Sequence, residues 1–309
     1  MEIVRIDFNS ENRFLTALAL GNFDGVHIGH QKLIKSMIKN AKIKGLIPAL
    51  LIFENHTKSF VCGNGPRLIN NNKQKNDFLE KLGVEVLYTM KFDRDIMQLS
   101  PEEFAKDILI QKLNCKFVTV GSDYRFGYRA EGDATRLQKI AKELDFDVEI
   151  IEPLQNNGKI VSSTLVRELI LDGNIKEVNH LLARPYAIIG EVIHGKGIGK
   201  KMGVPTANLL LKNKYVIPKN GIYRTKTKID EKLYLSATNI GINPTFKEDV
   251  LKIENHIIGL NEDIYGKEIE VFFFEYIRPE MKFDSEVTLI EQIHRDISYV
   301  KKNSDLQSY

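Results

Sequence analysis

The sequence predicts an α/β protein of two domains. A doubly wound parallel sheet occupies residues 1–182, and an antiparallel β-barrel with a terminal helix occupies 183–309. Three observations predict this. Short apolar runs alternate with amphipathic segments through the first half, which is the pattern of β-α-β units. After Leu182-Ala-Arg-Pro185 the pattern changes to closely spaced strands separated by turns. A length of 309 residues also exceeds one ordinary hydrophobic core.

Each element has its own signal. Phe14–Leu20 is an apolar run that stops at Gly21, a buried parallel strand. From His30 the apolar residues fall at Leu33, Ile34, Met37, Ile38 and Ala41, with Lys32, Lys35, Lys39, Lys42 and Lys44 among the polar residues, and Gly45 stops this helix. Leu46–Phe53 is the next strand, followed by a helix around Lys75–Leu82 and a strand at Val84–Met90. Ser100-Pro-Glu-Glu103 opens a helix that runs to about Leu113: Ser100 caps it, Pro101 takes the first position and Glu103 completes a capping box. Lys116–Val120 is a strand closed by Gly121, Thr135–Leu144 a helix and Asp147–Ile151 a strand. One helix then ends at Gly173, and Asn174–Leu182 makes another.

In the second half the strands are Tyr186–Ile193, Gly221–Ile229, Leu233–Asn239, Lys252–Leu260 and Glu268–Tyr276. Ser285 caps a last helix whose apolar stripe is Val287, Ile290, Ile293, Ile297 and Val300.

Composition narrows the function classes. Lys and Arg total 44 against 41 Asp and Glu, a net charge of +3, which gives no global case for nucleic acid or an anionic membrane. The two cysteines, Cys62 and Cys115, are far apart and form no Cys-x-x-Cys. They read as reduced thiols of a cytoplasmic protein. No apolar run is long enough to span a bilayer, and the N-terminus has no hydrophobic signal core. A monomer or weak oligomer is expected.

Three unusual loops follow predicted strands, and ligands of such sheets bind beyond the strand ends. The first is Gly21-Asn-Phe-Asp-Gly-Val-His-Ile-Gly-His30, where a strand stops in glycines and restarts as a helix. Free backbone N–H groups at a helix start favour an anion, and His27 and His30 around Gly29 suit a triphosphate. A metal pair would need further ligands, and the loop's one carboxylate is Asp24. The second loop, Gly121-Ser-Asp-Tyr-Arg-Phe-Gly-Tyr-Arg-Ala-Glu-Gly132, interleaves Arg125 and Arg129 with Tyr124, Phe126 and Tyr128. It is either a seat for a flat heterocycle and a phosphate or a solvated loop with two aromatics in the core. The third places Ser162, Ser163 and Thr164 before an apolar helix with Arg167 one turn in; it reads as simple N-capping or as a hold on the outer phosphates.

The barrel half has a basic, glycine-rich segment, His194-Gly-Lys-Gly-Ile-Gly-Lys-Lys-Met-Gly203, followed by Val-Pro-Thr-Ala-Asn208. Gly195, Lys196, Gly197 and Gly199 suit phosphates, although no Walker A frame fits. Thr206 and Asn208, just after Pro205, carry oxygens that suit a hard cation. Glu254, between Ile253 and Asn255 on a predicted strand, is either an exposed charge or a general base.

Taken together these motifs resemble the bacterial bifunctional riboflavin kinase/FAD synthetase family. The Gly-Asn-Phe-Asp-Gly-Val-His-Ile-Gly-His stretch looks like its adenylyltransferase signature, and Gly121–Gly127 and Ser162–Arg167 look like its second and third motifs. The flap with Pro205-Thr-Ala-Asn208, Asn220–Tyr223, Asn239–Phe246, Asp263–Gly266 and Lys282–Ser285 resemble the kinase module. The match runs in order along nearly the whole chain. It departs at Phe53-Glu-Asn-His-Thr57, where Asn55 and Thr57 stand in place of the family's prolines, at Tyr124 for a Phe, and at Val204 for a bulkier aromatic.

The resemblance implies a Rossmann-like nucleotidyltransferase domain and a riboflavin kinase barrel. It implies phosphorylation of riboflavin to FMN by ATP with release of ADP, then adenylylation of FMN to FAD with release of pyrophosphate, both with Mg²⁺. Glu254 matches the kinase base, and Thr206 and Asn208 the residues that hold Mg²⁺. His27, His30 and Arg167 match the adenylyl-transfer groups, with Gly21, Asn22, Phe23, Gly29, Ser162, Ser163 and Thr164 around ATP. Asp123, Tyr124, Arg125, Phe126 and Arg278 are the implied flavin contacts. The rival expectations are a kinase with a weakened adenylyltransferase, a flavin-binding regulator on the same scaffold, and an adenylyltransferase for another phosphorylated substrate.

Overall fold

The computed structural model describes residues 1–54, 65–195, 199, 202–244 and 249–303. Compactness divides the chain into two units, Met1–Arg67 with Asn71–Ser162, and Leu68–Asn70 with Ser163–Tyr309.

In the first unit a six-stranded sheet runs β1 (Glu2–Ile6), β4 (Val86–Met90), β3 (Ile47–Phe53), β2 (Thr16–Leu20), β5 (Cys115–Gly121), β8 (Asp147–Ile151). Every neighbouring pair is parallel. Strand β2 explains the layering. All five of its residues are buried, and they alternate: Leu18 and Leu20 enter one core, Ala17 and Ala19 the other. The small alanines let helix α1 (Ile28–Lys44) lie close, with Ile34, Met37 and Ala41 in the same core. Each such side chain contributes about 1–3 kcal/mol of burial. Gly45, at φ 64°, ends α1 in the left-handed conformation that favours glycine. On its other flank, Ser36 and Asn40 bond Glu149 and Lys44 pairs with Asp147, tying α1 to β8.

The remaining helices are α2 (Asn72–Leu82), α3 (Arg94–Gln98), α4, which starts as α at Pro101–Glu103 and continues with π geometry over Phe104–Lys112, and α5 (Ala134–Leu144). The Ser100–Glu103 capping box is present as expected. Short ladders join β6 (Arg125–Phe126) to β7 (Gly132–Asp133) and β9 (Gln155–Asn156) to β10 (Lys159–Ile160). Strand β1 and helix α3 carried too little apolar periodicity to be expected. Cys115 is buried, its thiol pushed up to about 12 by desolvation, while Cys62 lies outside the described residues.

The second unit is a closed barrel in the order β11 (Tyr186–Ile193), β12 (Ala207–Leu210), β15 (Asp249–Ile257), β14 (Lys232–Pro244), β13 (Gly221–Ile229), β16 (Glu268–Arg278). Five strands were expected. The sixth is β12, whose first two residues, Ala207 and Asn208, end the Pro205–Asn208 motif. Aromatic rings of Tyr186, Tyr223 and Phe273 fill one part of the core. Another part is polar. Thr225 bonds Ser236 and Thr238, Thr227 bonds Ser236, and Asn255 bonds Thr227 and Thr238, all fully buried. Burying these groups is tolerable because each finds a partner.

Helix α8 (Glu286–Lys302) is capped by Ser285, which accepts from the Thr288 N–H at 3.2 Å. Helices α6 (Ser163–Leu171) and α7 (Ile175–Leu182) also belong to this unit. Asn179 of α7 donates to the Phe273 carbonyl and accepts from the Tyr186 N–H, both at 2.8 Å.

Candidate active sites

In the parallel sheet the chain moves from β2 outward through β3 to β4, then returns to place β5 on the other side of β2. The C-terminal ends of β2 and β5 therefore flank the point where strand order reverses, the crevice in which such sheets bind ligands. The two motif loops Gly21–His30 and Gly121–Gly132 leave from these two ends.

The first loop is a strained turn. Phe23 (φ 47°), Gly25 (φ 79°) and Val26 (φ 41°) all take left-handed conformations, which cost a bulky or β-branched residue about 1–3 kcal/mol. The surroundings hold them there. Phe23 is fully buried, and buried Gln31 donates to the Val26 carbonyl at 2.9 Å. His27 caps α1, and its Nδ1 accepts from the His30 N–H at 3.3 Å, so the His27 proton sits on Nε2. The His27 and His30 rings stack at 3.7 Å, 16° from parallel, and Phe23 meets His30 edge-on. Gly29 permits this, since a Cβ there would lie 3.2 Å from the His27 ring. Burial, reinforced by His27, holds the His30 imidazole well below its ordinary 6.5. Its Nδ1 is buried without a partner among the described residues. The first turn of α1 has no acidic residue to offset the helix N-terminus.

The third motif begins beside this turn. The Val161 carbonyl is 3.7 Å from the Cβ position of Gly29, and Ser162 follows it. Ser163, Thr164 and Arg167 lie on α6, in the second unit.

In the second loop Asp123 and Arg125 are exposed, and Arg125 pairs with Asp133 at 3.4 Å. Tyr124 and Phe126 stack at 5.6 Å and pack into the hydrophobic core, and burial pushes the Tyr124 phenol up. Of the two aromatics, Phe126 is the more enclosed and contributes to the core. Gly127 (φ 73°) is required, because a Cβ would meet the Pro101 nitrogen at 2.8 Å.

On the barrel, cross-strand register collects the other predicted residues. Asn208 faces Glu254 across β12–β15, Glu254 faces Asn239 across β15–β14, Asn239 faces Ile222 across β14–β13, and Ile222 faces Arg278 across β13–β16. Directly opposed residues share a face. Their chain neighbours Ala207, Ile253, Thr238 and Tyr223 are buried inside, so this row lies on the outer face. The row joins the predicted cation ligand, the predicted base and a predicted flavin contact. Lys252 pairs with Glu254 at 2.8 Å. Gly195 rests on Asn208, with a Cβ position 2.2 Å from its Nδ2, and the Cβ position of Gly199 is 2.5 Å from the Val204 carbonyl and 3.4 Å from the Thr206 hydroxyl. His256 Nδ1 is 2.8 Å from the Pro205 carbonyl. Lys196 and Gly197 lie outside the described residues, as do Asn55 and Thr57.

The row also contains a residue that motif reading passed over. Asn239 was noted only within a motif, and its Oδ1 is buried with no partner among the described residues. Arg278 is held by buried Asp296 of α8. Gln31 and Asp296 sit inside regular helical patterns, and nothing in the sequence marks them as supports.

Two separate units, each with groups suited to a nucleotide's phosphates, make the chain a two-site nucleotide-dependent transferase. Known proteins narrow this. A family model described as FAD synthetase matches residues 10–165, and one described as riboflavin kinase matches 182–304. The chain is 37% identical over 298 residues to the bifunctional riboflavin kinase/FMN adenylyltransferase of Buchnera aphidicola subsp. Schizaphis graminum, covering 94% of this chain and 95% of that one. It is 38% identical over 283 residues to the protein of that name from Listeria monocytogenes, covering 90% and 89%. It is 34% identical over 281 residues to that of Escherichia coli K12, covering 90% of each. The chain belongs to the bifunctional riboflavin kinase/FAD synthetase family.

A solved structure from Streptococcus pneumoniae, described as a macrolide-efflux protein, matches with a TM-score of 0.90 at 30% identity over 97% of this chain and 99% of that one. That description does not carry over to this chain. Among the described residues no helix is long and apolar enough to cross a membrane.

Proposed function

We infer that this chain makes flavin cofactors in two ATP-dependent steps, riboflavin to FMN on the barrel and FMN to FAD on the parallel sheet. The observation that carries the reading is that one family model, FAD synthetase, matches residues 10–165 and a separate one, riboflavin kinase, matches residues 182–304. We assign the kinase to residues 183–309 and the adenylyltransferase to 1–182.

In the kinase step the terminal ribityl hydroxyl is the nucleophile. An alcohol is a poor nucleophile while protonated, so Glu254 takes its proton as the oxygen bonds the γ-phosphorus. ADP leaves. Thr206 and Asn208 offer a hydroxyl and an amide oxygen, a donor set that fits Mg²⁺, which takes few protein oxygens beside phosphates and water. When bound, the ion neutralises charge on the transferring phosphoryl group. Gly195, Lys196, Gly197 and Gly199 are the assigned phosphate contacts of this step, with Pro205 just before Thr206.

In the adenylyl step the FMN phosphate attacks the α-phosphorus of ATP and pyrophosphate leaves. The second pKa of a phosphate monoester is about 6, so it arrives ionised and no base is needed. The protein stabilises charge instead. His27 offers Nε2–H, the neutral His30 imidazole one N–H and the α1 N-terminus backbone N–H groups; Arg167 is assigned to neutralise the outer phosphates and the Ser162–Thr164 hydroxyls to donate hydrogen bonds to them. Gly21, Asn22, Phe23 and Gly29 shape that seat. Asp123, Tyr124 and Arg125 contact the flavin, with Phe126 as the buried prop beneath them.

Incubation with riboflavin, ATP and Mg²⁺, followed by chromatography, should yield both FMN and FAD. FMN alone would remove the adenylyltransferase half. Neither product, despite tight flavin binding, would support a regulator.

A further inference from the structure

Asn239 occupies the middle of the outer-face row, directly opposite Glu254 on one side and Ile222 on the other. Its amide oxygen is buried and meets no hydrogen-bond donor among the described residues. Leaving such an acceptor unmet costs about 1–3 kcal/mol, so a site that keeps one is built for a donor that arrives later.

The row says which donor. At one end Asn208 lies beneath Gly195 of the phosphate flap. At the other, Ile222 supplies apolar surface and Arg278 a cation fixed by Asp296. Glu254 and Asn239 lie between, about 5 Å apart by strand spacing. Phosphate oxygens facing the flap have no proton to give. A polyol chain does, and its terminal hydroxyl belongs at Glu254 if Glu254 is the base. The next hydroxyls along the chain then fall beside Asn239, before the flavin ring reaches Ile222.

We propose that Asn239 is a specificity residue of the kinase site: its Oδ1 accepts a hydrogen bond from a secondary hydroxyl of the ribityl chain and so selects a polyol-bearing flavin. The proposal rests on the assignment of Glu254 as base.

The test uses the full-length protein and two acceptors, riboflavin and a synthetic flavin whose side chain keeps only the terminal hydroxyl. Wild type should favour riboflavin in kcat/KM by roughly 10–100-fold. Asn239→Ala should lose most of that preference, chiefly through a higher KM for riboflavin, while KM for MgATP stays put. Asn239→Ser, which keeps a short acceptor, should recover part of it. Equal use of both flavins by the wild type overturns the proposal without any variant. A changed KM for MgATP with the flavin preference intact also overturns it and assigns the oxygen to metal-bound water. Persistent FMN formation by Glu254→Gln sinks the base assignment instead, and leaves the flavin preference readable.

Discussion

Arg278 and Asp296 form a two-pronged ion pair, with Nε 3.0 Å from Oδ1 and Nη2 2.6 Å from Oδ2. It joins the end of β16 to α8, and Gln292 donates to the same carboxylate at 3.0 Å. The cation therefore reaches the outer-face row already oriented. Asp296→Ala strands a largely buried charge, and breaking such a pair costs about 3–5 kcal/mol. The denaturant midpoint of the barrel unit should fall accordingly, and KM for riboflavin should rise. An unchanged midpoint would show that Arg278 finds another partner.

Glu254→Gln should reduce FMN formation by roughly 10²–10⁴-fold, the usual contribution of a general base, and leave FMN-to-FAD conversion intact. Separate assays of the two steps check this. Loss of both in a folded protein would contradict the two-site assignment.

His30→Ala should do the reverse. Removing one group that stabilises developing charge costs about 3 kcal/mol, so FAD formation should drop roughly 10²–10³-fold with FMN formation unaffected.

Gly195→Ala places a methyl group 2.2 Å from the Asn208 amide nitrogen. Asn208 must move, and misplacement on the ångström scale costs up to about 10²-fold. We expect KM for MgATP in the kinase step to rise by roughly 10–100-fold, read by steady-state kinetics, with FAD formation from supplied FMN unchanged.

The depressed pKa of His30 has two consequences. The ring stays neutral at pH 6.5 and above, so the acid limb of FAD formation reports the FMN phosphate, near 6, and should not move in His30→Gln. For stability, the unfolded chain binds the proton first as pH falls. The His30 contribution is full above 6.5 and is lost as pH drops from 6.5 toward the folded value. Wild type should lose more stability than His30→Gln over that window.

Much of this was legible in sequence because it rests on local rules. The Ser100–Glu103 capping box and the stop at Gly45 each follow from nearby residues. Strand β12 was not legible because it is only four residues long and its first two, Ala207 and Asn208, belong to the Pro205–Asn208 motif. The stacking of His27 on His30 was not legible either, since it depends on three left-handed residues held by Gln31 and the core. Asn239 and Arg278 stand far apart in sequence from Asn208. Only the register of a closed barrel aligns them, and register is a tertiary property.

The hydroxyl network inside the barrel bears on that register. A slip of one residue between β14 and its neighbours would turn Asn239 inward and Thr238 outward, and would break the Thr225–Thr238 and Thr238–Asn255 bonds together. Five small, fully buried polar groups thus act as a combination lock for the surface opposite. Replacing a buried threonine by valine would keep the shape of the core yet remove a tumbler. The damage would surface on the other side of the sheet, as a scatter in how base and acceptor line up.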